Sequence, residues 1–303
     1  MTLLNIFTPS GVVAKAPALR LAARRLRALG FDVQLDASAL ARHQRFGGDD
    51  ATRLDALHRV AAQAPSIAKA ARGGYGLTRL LDGIDWHLLA RSIEQGTRWV
   101  GHSDFTALQM GLLKHMGLSA ASCTWAGPMA LDDFSRDDAA GGVDDVTSGC
   151  FVEAMSSELE AVGWRTETGF DGLAVRGRLW GGNLSMLCSL LGTPHWPKIK
   201  GGVLFVEDVN EHPYRVERCL LQLHQAGVLG DQKAVLVGYV SAFKPSALDR
   251  GYNMKTTVAM LRSVCSTPFL TGLPFGHVQP KLTLPVGRPV ELLVDGRNAL
   301  MGW

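Results

Sequence analysis

The sequence predicts an α/β fold of two domains, an N-terminal parallel-sheet α/β domain and a C-terminal α/β domain with a β-rich tail. Three observations predict it. Short apolar runs alternate with amphipathic helical segments from the start to about residue 120, a βαβ rhythm that makes a parallel sheet covered by helices. The rhythm weakens between roughly 125 and 170 and resumes beyond it. At 303 residues the chain is also too long for one ordinary core. The division expected is 1–125, a linker region with some local structure at 126–170, and 171–303.

In order, "LLNIFTP" reads as a strand, and residues 16–29 as an amphipathic helix closed by Gly30. "FDVQLD" is a second strand. Asp49 and Asp50 open a helix through Leu54, Leu57 and Val60, where the helix dipole favours acids. "SIAKAA" leads into the turn "RGGYG", and "DWHLLARSI" is a short helix. "RWVGHS" is a strand, and "DFTALQMGLLKHM" a helix with Leu108, Leu112 and Met116 on one face. The Asp-, Gly- and Ser-rich "LDDFSRDDAAGGVDDVTSG" marks the linker. Then "GRLWGGNLSMLCSLLG" is a strand, a glycine turn and a helix, and "GGVLFVED" a buried strand. "PYRVERCLLQLHQAG" is a helix begun by Pro213, a favoured early position. "KAVLVGYV" is a strand, 253–265 a helix, "PFLTGLPFGH" a strand and turn, and "RPVELLVDG" the β-rich tail.

Composition narrows the function. An apolar fraction of 47% with 19% charged residues suits a globular chain, and the net charge of +3 is small. Arg20, Arg24, Arg25 and Arg27 alternate with Leu19, Ala22, Leu26 and Leu29 at helical spacing, so they form a solvated helix face. No basic run interleaves with aromatics, so nucleic acid is not an expected partner. Cys123, Cys150, Cys188, Cys219 and Cys265 lie far apart, which argues against a disulfide framework or a zinc site and suits a reducing compartment. The start has no charged region ahead of an apolar stretch, and no run is long enough to span a bilayer. The expectation is a cytoplasmic protein with no membrane partner, no metal and no cofactor.

Four corners carry residues suited to chemistry, at the carboxyl ends of strands where ligands of parallel sheets bind. Ser103 follows a strand and opens a helix, so it is either a helix cap or an exposed nucleophile whose neighbour Asp104 offers its amide to an oxyanion. The spelling of a nucleophile elbow fails at Phe105, which stands where the second glycine would be. Arg72-Gly73-Gly74-Tyr75-Gly76 is either a tight turn or a set of free amides for a carboxylate or oxyanion, with Arg72 a fork of donors beside them. Glu207 and Asp208 stand where a buried strand surfaces, as a solvated end or as an acid needing a partner. His277 lies after a strand in a glycine-flanked turn, the position for a base. Among the other histidines, His58 and His87 fall on helices, His195 and His212 in loops, and His102 is too near Ser103 in sequence for their side chains to converge. Serine, acid and histidine in that order is one workable triad order.

Taken together, "ARGGYGLTRLLDGIDW", "GHSDFTALQMGLL", "LWGGNLSMLCSLLGTP", "VEDVNEHPYRVERCLLQLHQAG" and "TGLPFGH" closely resemble the LD-carboxypeptidase family of serine peptidases, over essentially the whole chain from "TPSG" onward. The resemblance is nearest to the cytoplasmic muramoyltetrapeptide carboxypeptidases of Gram-negative bacteria. It implies Ser103 as nucleophile, Glu207 rather than Asp208 as the acid orienting the base, and His277 as the base. It also implies a site between the domains and a homodimer. The oxyanion hole would come from the amides of Asp104 and the Gly73-Gly74 turn. Arg72, the "RGGYG" amides and those of Gly181, Gly182 and Asn183 are candidates for the substrate carboxylate. The implied substrate is a small murein peptide, L-Ala, D-Glu, meso-diaminopimelate and D-Ala, free or sugar-linked, cut at the terminal D-Ala for cell-wall recycling. His102 replaces an aromatic of many relatives. The microcin-immunity peptidases share the triad, so the motifs leave that alternative open, as well as a non-catalytic murein-peptide-binding protein.

Overall fold

A computed structural model describes residues 1–116 and 123–303. In the first half, β1 (Thr2–Phe7), α1 (Ala16–Ala28), β2 (Phe31–Leu35), α2 (Asp50–Gln63), β3 (Ile67–Ala70), α3 (Trp86–Glu94), β4 (Arg98–Gly101), α4 (Thr106–His115) and β5 (Thr124–Ala126) alternate. The strands pair in parallel in the order β5-β4-β3-β1-β2. Local chemistry sets the helix starts. Asp49 accepts a hydrogen bond from Thr52 N and Asp85 one from Leu88 N, each satisfying an amide with no helical partner. Gly30, at φ +95°, turns the chain out of α1.

The segment 126–170 is more ordered than its composition suggests. It holds α5 (Ala130–Phe134), α6 (Asp145–Ser156) and β6 (Ala161–Arg165). Phe134, Phe151, Ala154 and Met155 of this segment pack with Leu19, Ala22 and Leu26 of α1. Asp144 caps α6 through Thr147 N. Its apolar residues do not gather into a clean stripe, which is why the helical period is faint in the sequence.

The second half contains β7 (Ala174–Asn183), α7 (Leu184–Leu190), β8 (Val203–Val209), α8 (Pro213–Gln225), β9 (Ala234–Ser241), α9 (Met254–Val264) and β10 (Phe269–Thr271). These are followed by β11 (Leu284–Val286), β12 (Pro289–Asp295) and β13 (Asn298–Gly302). The second sheet runs β10-β9-β8-β7-β12-β13-β6, with β7 to β10 parallel and the β12, β13 and β6 end antiparallel. β8 is buried on both faces over its first six residues, whereas β12 alternates buried and exposed.

One strand of the tail departs from the expected division. β11 leaves the second half and pairs antiparallel with β5, at the edge of the first sheet. The two halves therefore interlock, and one apolar cluster runs through both, from Phe7, Trp99 and Phe105 to Leu179, Leu204 and Phe205. That shared core brings the carboxyl ends of β3 and β4 to the carboxyl ends of β7 and β8.

Candidate active site

Ser103 stands two residues beyond β4, at the start of a 3-10 turn (Ser103–Phe105) that runs into α4. Its φ of +62° is a left-handed conformation that costs an L-residue on the order of 1–2 kcal/mol. A helix cap needs no such strain, because caps are normally extended, and Ser103 caps nothing. Phe105 takes the place of a second glycine by burying its ring against Gly101, where a Cβ would lie 2.6 Å from Phe105 Cγ, and against Phe7 at 6.4 Å between centroids.

The glycine turn lies directly over this corner. A Cβ on Gly73 would sit 2.8 Å from Ser103 Oγ and 3.4 Å from the amide nitrogen of Asp104, so only glycine fits. Gly74 (φ +97°), Tyr75 (φ +82°) and Gly76 (φ +142°) continue the turn in left-handed backbone. Asp104 fastens turn to corner: its buried carboxylate accepts from Leu77 N at 2.9 Å. Burial pushes that carboxyl above the usual range. Arg72 reaches back across the turn and donates to Val12 O at 3.2 Å. Its Nε is buried without a partner among the described residues.

From the other half, Glu207 and His277 meet. Glu207 is buried near the end of β8, at a register shift between Val206 and Asp208, a bulge that re-aims the side chain. Its Oε2 lies 2.8 Å from His277 Nδ1. Gly276, at φ +142°, lets the loop press on β9, since a Cβ there would be 2.9 Å from Tyr239 O and 3.5 Å from Glu207 Cβ. Burial pulls the His277 imidazole pKa down, but the hydrogen bond to Glu207 and its negative charge together outweigh this and raise it. With Nδ1 donating to Glu207, Nε2 is left as the nitrogen able to take a proton.

Asp208 does different work. Oδ2 accepts from Ser185 N at 2.9 Å and Ser185 Oγ at 2.7 Å, while Oδ1 accepts from Asn183 Nδ2 and Val209 N, both at 2.9 Å. This carboxylate ties β8 to the first turn of α7. Burial raises its pKa.

Asn183 does not offer a free amide to a ligand, contrary to expectation. The Asn183 amide donates to Thr106 Oγ1 at 3.0 Å, and a Cβ on Gly182 would strike that same oxygen at 2.4 Å. The Asn183 side chain is also spent inward, with Nδ2 donating to Glu207 Oε1 at 3.1 Å and Oδ1 capping Met186 N at 3.1 Å. Its position on the acid's second oxygen makes it a holder of Glu207. The close packing against Thr106 joins α4 to the sheet that carries Glu207.

His102 is fully buried, with its ring 4.9 Å from that of His277. Gly127 O lies 3.0 Å from its Nδ1, and Lys281 Nζ 3.0 Å from its Nε2. Both ring nitrogens thus face buried groups of the protein.

Models of the LD-carboxypeptidase N-terminal domain and C-terminal domain match residues 4–122 and 176–292. The chain is 31% identical over 291 residues to the "Probable murein peptide carboxypeptidase" of Bacillus subtilis, covering 91% of this chain and 84% of that one. The chain belongs to the LD-carboxypeptidase family. It is a serine-type carboxypeptidase. The crystal structure of a muramoyltetrapeptide carboxypeptidase from Oxalobacter formigenes is similar at 41% identity, with a TM-score of 0.89 over 99% of this chain and 98% of that one. The microcin C7 self-immunity protein bound to aspartyl sulfamoyl adenosine shares the fold, with a TM-score of 0.86 over 100% of this chain and 96% of that one, at 21% identity.

Two features of this LD-carboxypeptidase were not legible from spacing. Asn183 and Lys281 contact the Glu207 and His102 side chains from 24 and 179 residues away. A weak signal for the first existed, since an Asn after a strand and before a helix is a common cap. A lysine after Gln279-Pro280 carried none.

Proposed function

We propose that this protein is an L,D-carboxypeptidase that hydrolyses the terminal D-Ala from murein tetrapeptide by a Ser103-His277-Glu207 mechanism, in peptidoglycan recycling in the cytoplasm. The observation that carries the reading is the 2.8 Å contact of Glu207 with His277 Nδ1, on a ring packed against the residue before the strained Ser103. His277 Nε2 takes the Ser103 proton as Oγ bonds to the peptide carbonyl carbon. The resulting oxyanion is stabilised by the amides of Asp104 and the Gly73-Gly74 turn, which the close approach of Gly73 to Ser103 Oγ brings together. The C–N bond then breaks, and His277 returns the proton to the D-Ala amine. Water, deprotonated by His277, cleaves the ester and frees Ser103.

An exopeptidase must also bind a terminal carboxylate. Arg72 is assigned this task, since its guanidinium lies over the turn that covers Ser103. In this reading the working units are 1–125 with the nucleophile, 126–170 connecting, and 171–303 with acid and base, functioning as a homodimer. No cofactor takes part.

The test is mass spectrometry of muramoyl tetrapeptide incubated with wild-type protein and with Ser103→Ala. Loss of one D-Ala in the wild type alone supports both reaction and nucleophile. Untouched tetrapeptide with folded protein overturns the substrate. Cleavage of an aminoacyl-sulfamoyl adenylate would then favour the microcin-type reading, for which the shared fold is the supporting observation. Tight tetrapeptide binding without turnover would favour a binding protein.

A further inference from the structure

Behind His277 lies a buried charged array that the hydrolytic mechanism does not use. Lys281 is 2% exposed, and its Nζ donates to Asp133 Oδ1 at 2.7 Å. The other Asp133 oxygen accepts from Met129 N at 2.7 Å. A second buried lysine, Lys69, donates to Pro128 O and sits 3.7 Å from the centre of the Phe151 ring. Burial holds the Lys69 ammonium well below its ordinary pKa.

The remaining contact of Lys281 is to His102. A protonated amine has donors and no lone pair, so His102 Nε2 must accept. The proton then sits on Nδ1, where it donates to Gly127 O. Both ring nitrogens are satisfied in this one tautomer: the Nε2–H tautomer would set N–H against ammonium and a lone pair against a carbonyl, and a doubly protonated ring would set N–H against ammonium. Burial, then the charges of Lys281 and His277, holds the His102 pKa well below that of a free imidazole. The ring so fixed meets His277 edge to face, at 64° between planes. His102 is also the backbone neighbour of Ser103, so one side chain spans the nucleophile's corner and the base.

We propose that Lys281 is a positioning residue for the general base: it locks His102 in the neutral Nδ1–H form, and the locked ring holds the His277 imidazole in register with Ser103. The proposal rests on the triad reading above. It predicts that the effect of Lys281 passes through His102, which a general structural role would not require.

The experiment is a double-mutant cycle, Lys281→Met in the wild type and in the H102F variant. It is read both as kcat and KM on muramoyl tetrapeptide and as the rate of Ser103 phosphonylation by an alkyl fluorophosphonate. In the wild-type background the substitution should lower kcat and phosphonylation about tenfold, with KM moving less than about twofold. In the H102F background, where no ring proton needs placing, the same substitution should cost less than about twofold. Equal losses in both backgrounds, or a change confined to KM, overturn the proposal. The phosphonylation arm is independent of substrate, so hydrolysis failing while Ser103 still labels condemns the tetrapeptide reading and not this one. If Lys281→Met does not fold, nitrogen NMR of histidine-labelled wild-type protein decides. His102 should show a protonated Nδ1 and a bare Nε2 between about pH 5 and about pH 9 while His277 titrates. A protonated Nε2, or titration of His102 in that range, overturns the lock.

Discussion

His277 Nδ1 and Glu207 Oε2 lie 2.8 Å apart although 70 residues of chain separate them, and the pair fixes which nitrogen of the imidazole can act as a base. The carboxylate is wholly buried, and the histidine side chain keeps 19% of its surface open. The imidazole is thus held from behind and presented in front.

A pH dependence follows. The His277 pKa is raised, so the acid limb of kcat/KM should lie above the 6.5 of an ordinary imidazole, with activity lost as pH falls through it. In Glu207→Gln the raising negative charge is gone, so the limb should move to lower pH while kcat drops by about 10³–10⁴. The stability term has the opposite sense. A raised imidazole pKa stabilises the fold fully below the unfolded value of 6.5, and the contribution is lost as pH rises through the higher folded value. Urea titrations of wild type and Glu207→Gln across that window measure it.

Ser103 separates chemistry from packing. Ser103→Ala should lose several orders of magnitude in kcat and keep its fold. Ser103→Gly should be equally inactive yet more stable than Ser103→Ala by about 1 kcal/mol, because glycine accepts φ +62° without the Cβ penalty. Urea midpoints of the two variants give the comparison, and equal midpoints would deny the strain.

Gly73 has no room for a side chain. Gly73→Ala places a Cβ 2.8 Å from Ser103 Oγ, so the corner or the turn must shift. A displacement of about 1 Å there costs about 10² in rate, so kcat/KM should fall by at least that much with a small change in stability. Steady-state kinetics beside a thermal melt would show both.

Asn183→Ala should act through Glu207. It strips one donor each from Glu207 and Asp208, and leaving buried acceptors short costs about 1–3 kcal/mol. The kinetic loss should fall on kcat, with KM for the tetrapeptide unchanged. A KM effect alone would return Asn183 to the substrate.

Arg72→Ala should show the reverse pattern. A hydrogen bond to a charged group contributes about 1.5–3 kcal/mol, so KM should rise by about 10-fold or more with little change in kcat. An unchanged KM removes Arg72 from carboxylate binding.

Much of this protein is written locally. Asp49 and Asp85 announce their helices because a cap needs only its own next turn, and "VLFVED" reads as a buried strand because six successive residues share one environment. The corner at Ser103 and the loop at His277 were legible as strand-to-loop junctions for the same reason. The order of α6 was not, since its buried residues answer to α1 and not to each other. Nor was β11, whose partner β5 lies far back along the chain.

The sequence by itself determined the α/β fold class, the alternation of elements and a short roster of polar residues at strand ends, because periodicity, capping and turn chemistry act over a few residues. Only the tertiary structure decided which of them meet. Packing of the two sheets on one core turned Asn183 inward onto Glu207, set Gly73 against Ser103, and buried Lys281 beside His102. These are contacts between distant segments, and their geometry depends on how the sheets stack, which no local pattern encodes.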